Sequence, residues 1–114
     1  MDTRTKILPY QEVRELLQDK PAQWVSGYFD PLLAEHVGRL RELAKPGQLL
    51  VVEVANPDAP LLPQRARAEL VAALAMVDYV VLGNGDPSSK IVDAGVNARF
   101  IEHVVRRHRA GEPQ

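Results

Sequence analysis

The stretch LLVVEV, Leu49 to Val54, constrains the fold more than any other part of the chain. It is a short, nearly unbroken aliphatic run, with Gly47 before it and Pro57 after it. A strand with one wet face alternates apolar and polar residues, whereas one covered on both faces reads as a continuous Val/Ile/Leu run. Covering both faces takes helices above and below the sheet, and hence parallel strands joined by helical crossovers. Two further segments fit that frame: Gln23 to Ser26 (QWVS), ending at Gly27, and Asp78 to Leu82 (DYVVL).

The segments between the strands carry helical spacing. Pro9 opens PYQEVRELLQD, which places Val13, Leu16 and Leu17 on one face. Asp30-Pro31 predicts a helix start, with an acceptor side chain at the cap and proline in the first turn. That helix carries Leu32, His36, Val37, Leu40 and Leu43 and stops at Lys45-Pro46-Gly47. Arg65 to Met76 predicts a third helix, and Asn97 to Arg109 a fourth with Phe100, Ile101, Val104 and Val105 on its apolar side. The order is α-β-α-β-α-β-α, a three-layer α/β/α domain with a parallel sheet, read as one domain over residues 1–114. Ligands of open α/β sheets bind beyond the carboxyl ends of the strands, where loops run into helix N-termini. The expected site is therefore at Gly27–His36, Ala55–Asp58 and Leu82–Asp86.

Composition closes several other routes. Of 114 residues 46% are hydrophobic and 25% charged, a globular balance rather than a disordered one. Aromatic residues are only 5%, so the predicted core is one of small aliphatics. The absence of cysteine excludes disulfides, thiolate metal sites and cysteine nucleophiles together. Fourteen basic against fifteen acidic residues leave a net charge of −1, no footprint for nucleic acid. No apolar run reaches the ~20 residues of a membrane span, and MDTRTKILPY lacks a secretory signal's apolar stretch. A cytoplasmic location is the expectation. The nine prolines fall at element boundaries, apart from a cluster between Pro57 and Pro63 that marks the longest rigid loop.

The stretch SGYFDPLLAEHVGRLRELA, residues 26–44, carries chemistry. It resembles the first motif of the cytidylyltransferase-like nucleotidyltransferases, G-x-F-D-x-x-H-x-G-H-x-x-x-L, and in particular the adenylyltransferase domain of bacterial ADP-heptose synthases. Lys6-Ile7-Leu8 resembles the lead-in of that domain, LLVVEVANPDA its second strand and the N-x-D that follows, and RAELVAALAMVDYVVL, residues 67–82, its helix–strand pair. The resemblance covers residues 5–84. It implies a Rossmann-like nucleotidyltransferase fold and the transfer of a nucleoside monophosphate from CTP or ATP, with Mg²⁺, to a phosphorylated sugar or polyol. Homodimers are common among such relatives, and a homodimer is the expectation that follows.

In that motif two histidines one turn apart donate to phosphate oxygens, and the glycine between them lets the nucleotide lie against the helix N-terminus. The family pattern gives His36 the catalytic role, Gly27, Tyr28, Phe29 and Asp30 to the nucleotide, and Asn56, Asp58 and Arg67 to the acceptor substrate. PSSKIV, residues 87–92, resembles the Ser/Thr-rich turn that opens a phosphate-holding helix, with Ser88, Ser89 and Lys90 as ligands. No metal-ligating residue is assigned. Leu33 stands where the family has its first histidine, and Glu35 where it has glycine. Losing one preorganised donor costs ~10²–10³ in rate. A carboxylate beside a triphosphate costs on the order of several kcal/mol in a partly desolvated cleft.

Simpler roles compete for the same residues. Asp30 could serve as a helix cap, His36 as a satisfied core histidine, and Glu35 as an exposed first-turn acid favoured by the helix dipole. Asn-Pro-Asp is also ordinary turn chemistry. His103, Arg106, Arg107, His108 and Arg109 are cations at a helix C-terminus and receive no function. Two functions stay open: an active nucleotidyltransferase with an altered nucleotide or acceptor, and a non-catalytic binding or scaffolding domain of the same fold.

Overall fold

The computed structural model describes residues 2–83 and the two-residue strand Lys90–Ile91. A single 3-10 turn at Thr3–Lys6 leads into α1, Tyr10–Leu17. Then follow β1 (Ala22–Gly27), α2 (Ala34–Leu43), β2 (Leu49–Val54), α3 (Gln64–Ala72), β3 (Tyr79–Leu82) and β4 (Lys90–Ile91). The strand order is β3-β2-β1-β4 and every pairing is parallel. Ala22 pairs with Leu49 and Gly27 with Val54, while Val51 pairs with Tyr79 and Val54 with Leu82. This is the expected α/β architecture with a parallel sheet.

Two apolar clusters account for the three layers. Val25, Leu50, Val52, Val54 and Val80 point to one face and pack with Leu40 of α2 and with Ala68, Val71 and Ala72 of α3. Val51 and Val81 point to the other face and meet Val13 and Leu17 of α1. Residues adjacent in β2 therefore bury in opposite directions, which is why LLVVEV is apolar at every position but Glu53. Burying each such valine stabilises the fold by about 1.5–3 kcal/mol.

Several local expectations are corrected. Leu16 is 45% exposed, because Val13 and Leu17, one turn apart, alone face the sheet among the α1 positions expected to do so. The second helix starts at Ala34 rather than at Asp30-Pro31, and the third ends at Ala72 rather than Met76. Lys90 and Ile91, expected in a turn that opens a helix, pair with Val25 and Ser26 as a strand. Ser88, Ser89 and the helix expected over 97–109 lie outside the described residues.

Polar contacts fix the strand positions. The Asp78 carboxylate accepts from the Leu50 N–H at 2.7 Å, and the Asp78 N–H donates to the Leu50 carbonyl at 2.9 Å. Together they lock the amino end of β2 to the entry of β3. Lys6 Nζ donates to the Leu74 carbonyl at 3.1 Å, beyond the end of α3.

Candidate functional site

The strand order points to a candidate site. Going from β1, the chain proceeds outward on one side through β2 and β3 and then returns to the other side of β1 as β4. The reversal falls between β1 and β4, and ligands of open α/β sheets bind beside such a reversal, outside the carboxyl ends of the strands. The carboxyl end of β1 is Gly27, and Tyr28 to Leu33 follow it. These are the residues of the first motif.

Within this loop the backbone is unusual at one position. Phe29 has φ of +49°, the left-handed region that a bulky side chain enters only at a cost of order 1–2 kcal/mol. Its ring is fully buried and meets the His36 ring edge-on, with centroids 5.3 Å apart at 64°. The burial of an aromatic side chain offsets the backbone cost. Gly27 is buried in the sheet, and its carbonyl accepts from Ala55 N–H at 2.9 Å. Tyr28 is 38% exposed.

Asp30 does not cap α2. Its Oδ2 accepts from the Leu61 N–H at 2.7 Å and its Oδ1 from the Leu62 N–H at 2.9 Å, in the loop after β2. The cap is supplied from inside the helix. Leu33 is the N-cap residue and its side chain has no acceptor, while Nδ1 of His36, three residues on, accepts the Leu33 N–H at 2.8 Å. An acceptor at this third helical position reaching back to the cap amide is one half of a capping box. Because Nδ1 accepts, the ring proton resides on Nε2, a tautomer assigned from this bond. His36 itself is fully buried. Glu35 is exposed in the first turn of α2.

Arg67, expected at the acceptor substrate, is also fully buried. Its Nε donates to the Leu62 carbonyl at 3.0 Å, and Nη1 donates to the carbonyls of Tyr28 at 2.8 Å and Ala55 at 2.7 Å. Nη2 donates to Oδ1 of Asn56. Four of its five N–H groups thus serve the two loops that follow β1 and β2. The Asn56 and Asp58 side chains are exposed at the loop after β2. The structure therefore gathers Gly27–Asp30, His36, Asn56 and Arg67 at one end of the sheet.

One contributor was not read from the sequence. Gln64 Nε2 donates to the carbonyls of Val54 at 2.9 Å and Gly83 at 3.2 Å, tying the ends of β2 and β3 together. A glutamine in the first turn after a proline carries no local signal of that task. Among the described residues no group of three or more His, Asp or Glu side chains could hold a metal ion. No helix among them is long and apolar enough to cross a membrane.

Sequence comparison agrees with the motif reading. A protein from Helicobacter pylori (strain P12), "Bifunctional protein HldE", is 30% identical over 101 residues. The chain resembles HldE. That match takes in 81% of this chain and 22% of the relative. The HldE of Syntrophotalea carbinolica is 29% identical over 103 residues, covering 78% of this chain and 21% of the relative. That of Citrifermentans bemidjiense is 33% identical over 97 residues, covering 76% and 20%. The chain spans about a fifth of the length of the HldE proteins it matches. No family model matches it.

Proposed function

We propose that this chain is a nucleotidyltransferase-type domain that takes a nucleoside triphosphate, ATP or CTP, at the carboxyl end of β1 and transfers its nucleoside monophosphate part weakly or not at all. The similarity to HldE and the motif residues gathered at the strand reversal support the nucleotide-site reading. In a nucleotidyltransferase a phosphate oxygen of the acceptor bonds to the α-phosphorus, the bond to the bridging oxygen breaks, and pyrophosphate leaves. The protein contributes position and charge stabilisation to that displacement, and little covalent chemistry.

The single observation behind weak transfer is the bond from Leu33 N–H to His36 Nδ1. The Nδ1 of the motif's second histidine is engaged at the start of α2 inside a fully buried ring, and its first histidine is replaced by Leu33, which has no side-chain donor. Glu35, exposed in the same first turn, brings a carboxylate where the motif has glycine. Asp30 is engaged by two loop amides, and the described residues form no Mg²⁺ cage. Any Mg²⁺ would arrive on the nucleotide's own phosphates.

Calorimetric titration with ATP and with CTP, each with Mg²⁺, tests the binding half of the reading. Pyrophosphate release with sugar phosphates and glycerol phosphate as acceptors tests the transfer half. Saturable nucleotide binding with little pyrophosphate release is expected. Rapid turnover would refute the loss of transfer, and no binding of either nucleotide would refute the site itself.

A further inference from the structure

We infer that Asp30 and Arg67 are positioning residues that act as one latch, through the main chain of Leu62 between them, and hold the loop after β2 against the loop after β1. What the latch serves rests on the nucleotide-site reading above; how it is built does not. Asp30 takes the N–H groups of Leu61 and Leu62 from one side. Arg67 takes the carbonyl of Leu62 from the other, at 3.0 Å. The same guanidinium holds the Tyr28 carbonyl in the first loop and the Ala55 carbonyl in the second. One residue, Leu62, is thus gripped at both ends by opposite charges, one from the β1–α2 loop and one from α3.

The chemistry of the two side chains suits this task better than ligand contact. The Asp30 carboxylate, accepting two amides, has its oxygens directed into the neighbouring loop, and hydrogen bonds to an ionised group are among the strongest available. A planar guanidinium reaches acceptors in several fixed directions, which an ammonium group cannot reproduce. Arg67 is fully buried, and its donors go to three main-chain carbonyls and the Asn56 side-chain oxygen. Together the pair places Tyr28 and Asn56, one from each loop, in fixed relation at the end of the sheet.

The test uses the full chain with Asp30→Asn and Arg67→Lys, hydrogen exchange followed by NMR, and ATP as the probe, with and without Mg²⁺. A latch couples sites that do not touch. Arg67→Lys should speed exchange of the Leu61 and Leu62 amides about 10-fold or more, although Arg67 bonds neither N–H. Asp30→Asn should speed exchange of the Arg67 Nε–H to a similar degree, which carries the test should the lysine variant fail to fold. Both variants should weaken ATP binding by about 10-fold, by the same factor with and without Mg²⁺. Unchanged exchange at the distant partner would overturn the latch. Faster exchange with unchanged ATP affinity would show a link that positions nothing for the ligand. A loss confined to the Mg²⁺ titration would make Asp30 a direct ligand instead. If the unaltered chain binds no ATP, the nucleotide reading fails by itself, and the latch stands or falls on the exchange data.

Discussion

Replacing His36 separates its structural task from a chemical one. In His36→Ala the Leu33 N–H loses its acceptor, a change typical of lost helix caps at about 1 kcal/mol. The edge-on contact with the Phe29 ring goes too, worth about 0.5–1.5 kcal/mol, and the fully buried ring leaves a cavity behind it. The left-handed backbone at Phe29 also loses part of the packing that holds it. The combined cost is about 3–4 kcal/mol, and at ~4–8 °C per kcal/mol for a domain near this size Tm should fall by roughly 15 °C or more. His36→Gln keeps an acceptor three residues after the cap, the arrangement of a capping box, and should cost only about 1–2 kcal/mol. Differential scanning calorimetry of the three proteins gives the ordering, and ATP titration of His36→Gln gives the meaning. The reasoning is refuted if both variants melt within a degree or two of the parent, or if the glutamine variant is as unstable as the alanine one. Abolished ATP binding in a well-folded glutamine variant would instead assign the imidazole to the ligand.

The remaining predictions address the motif, the sheet and the amino terminus. Glu35→Gly should tighten ATP or CTP binding by removing charge and bulk, while Leu33→His should act mainly on the rate of pyrophosphate release; tight binding by the unmodified chain that weakens in Glu35→Gly would reverse the reading of that position. Asp78→Ala removes the 2.7 Å acceptor for the Leu50 N–H and should lower stability by about 1.5–3 kcal/mol in urea unfolding, with the m-value unchanged. Asp2, held down to about 2 chiefly by the side-chain hydrogen bond of Arg4 and next by the Arg4 backbone N–H, should rise towards but stay below its ordinary value of 3.8 in Arg4→Ala, which keeps that N–H, when its carboxyl is titrated by NMR. Its folded-state value lies below the unfolded one, so its contribution is present above about 3.8 and is lost as pH falls towards 2, and salt should screen this exposed pair.

What the sequence made legible was whatever depends on neighbours along the chain. The two-faced burial of Leu49–Val54 showed in its nearly unbroken aliphatic composition, and α1 showed in the spacing of Val13 and Leu17. The helix start at Asp30-Pro31 was misplaced because that aspartate is spent on amides 31 and 32 residues away, a use that local pattern cannot reveal. Once it is engaged there, the helix begins at Ala34 and draws its cap from His36. Arg67 looked like an available cation because a sequence shows its charge but not the carbonyls around it. The strand Lys90–Ile91 is too short for any periodicity, so the reversal in strand order that points to the candidate site emerged only from the pairing with Val25 and Ser26. The first motif was therefore legible as a segment, while the hydrogen-bonding tasks of its residues were not.

The way Asp30 holds the second loop sets what can change there over evolutionary time. The carboxylate grips main-chain amides, which every residue but proline provides. Leu61, 77% exposed, can therefore be exchanged for many other side chains with little consequence. The number of residues between Asn56 and Pro63 cannot vary so freely. Adding or deleting one residue would slide a different pair of amides under the carboxylate and move the carbonyl away from the guanidinium. Descendants of this chain should accumulate substitutions in that loop while keeping its length.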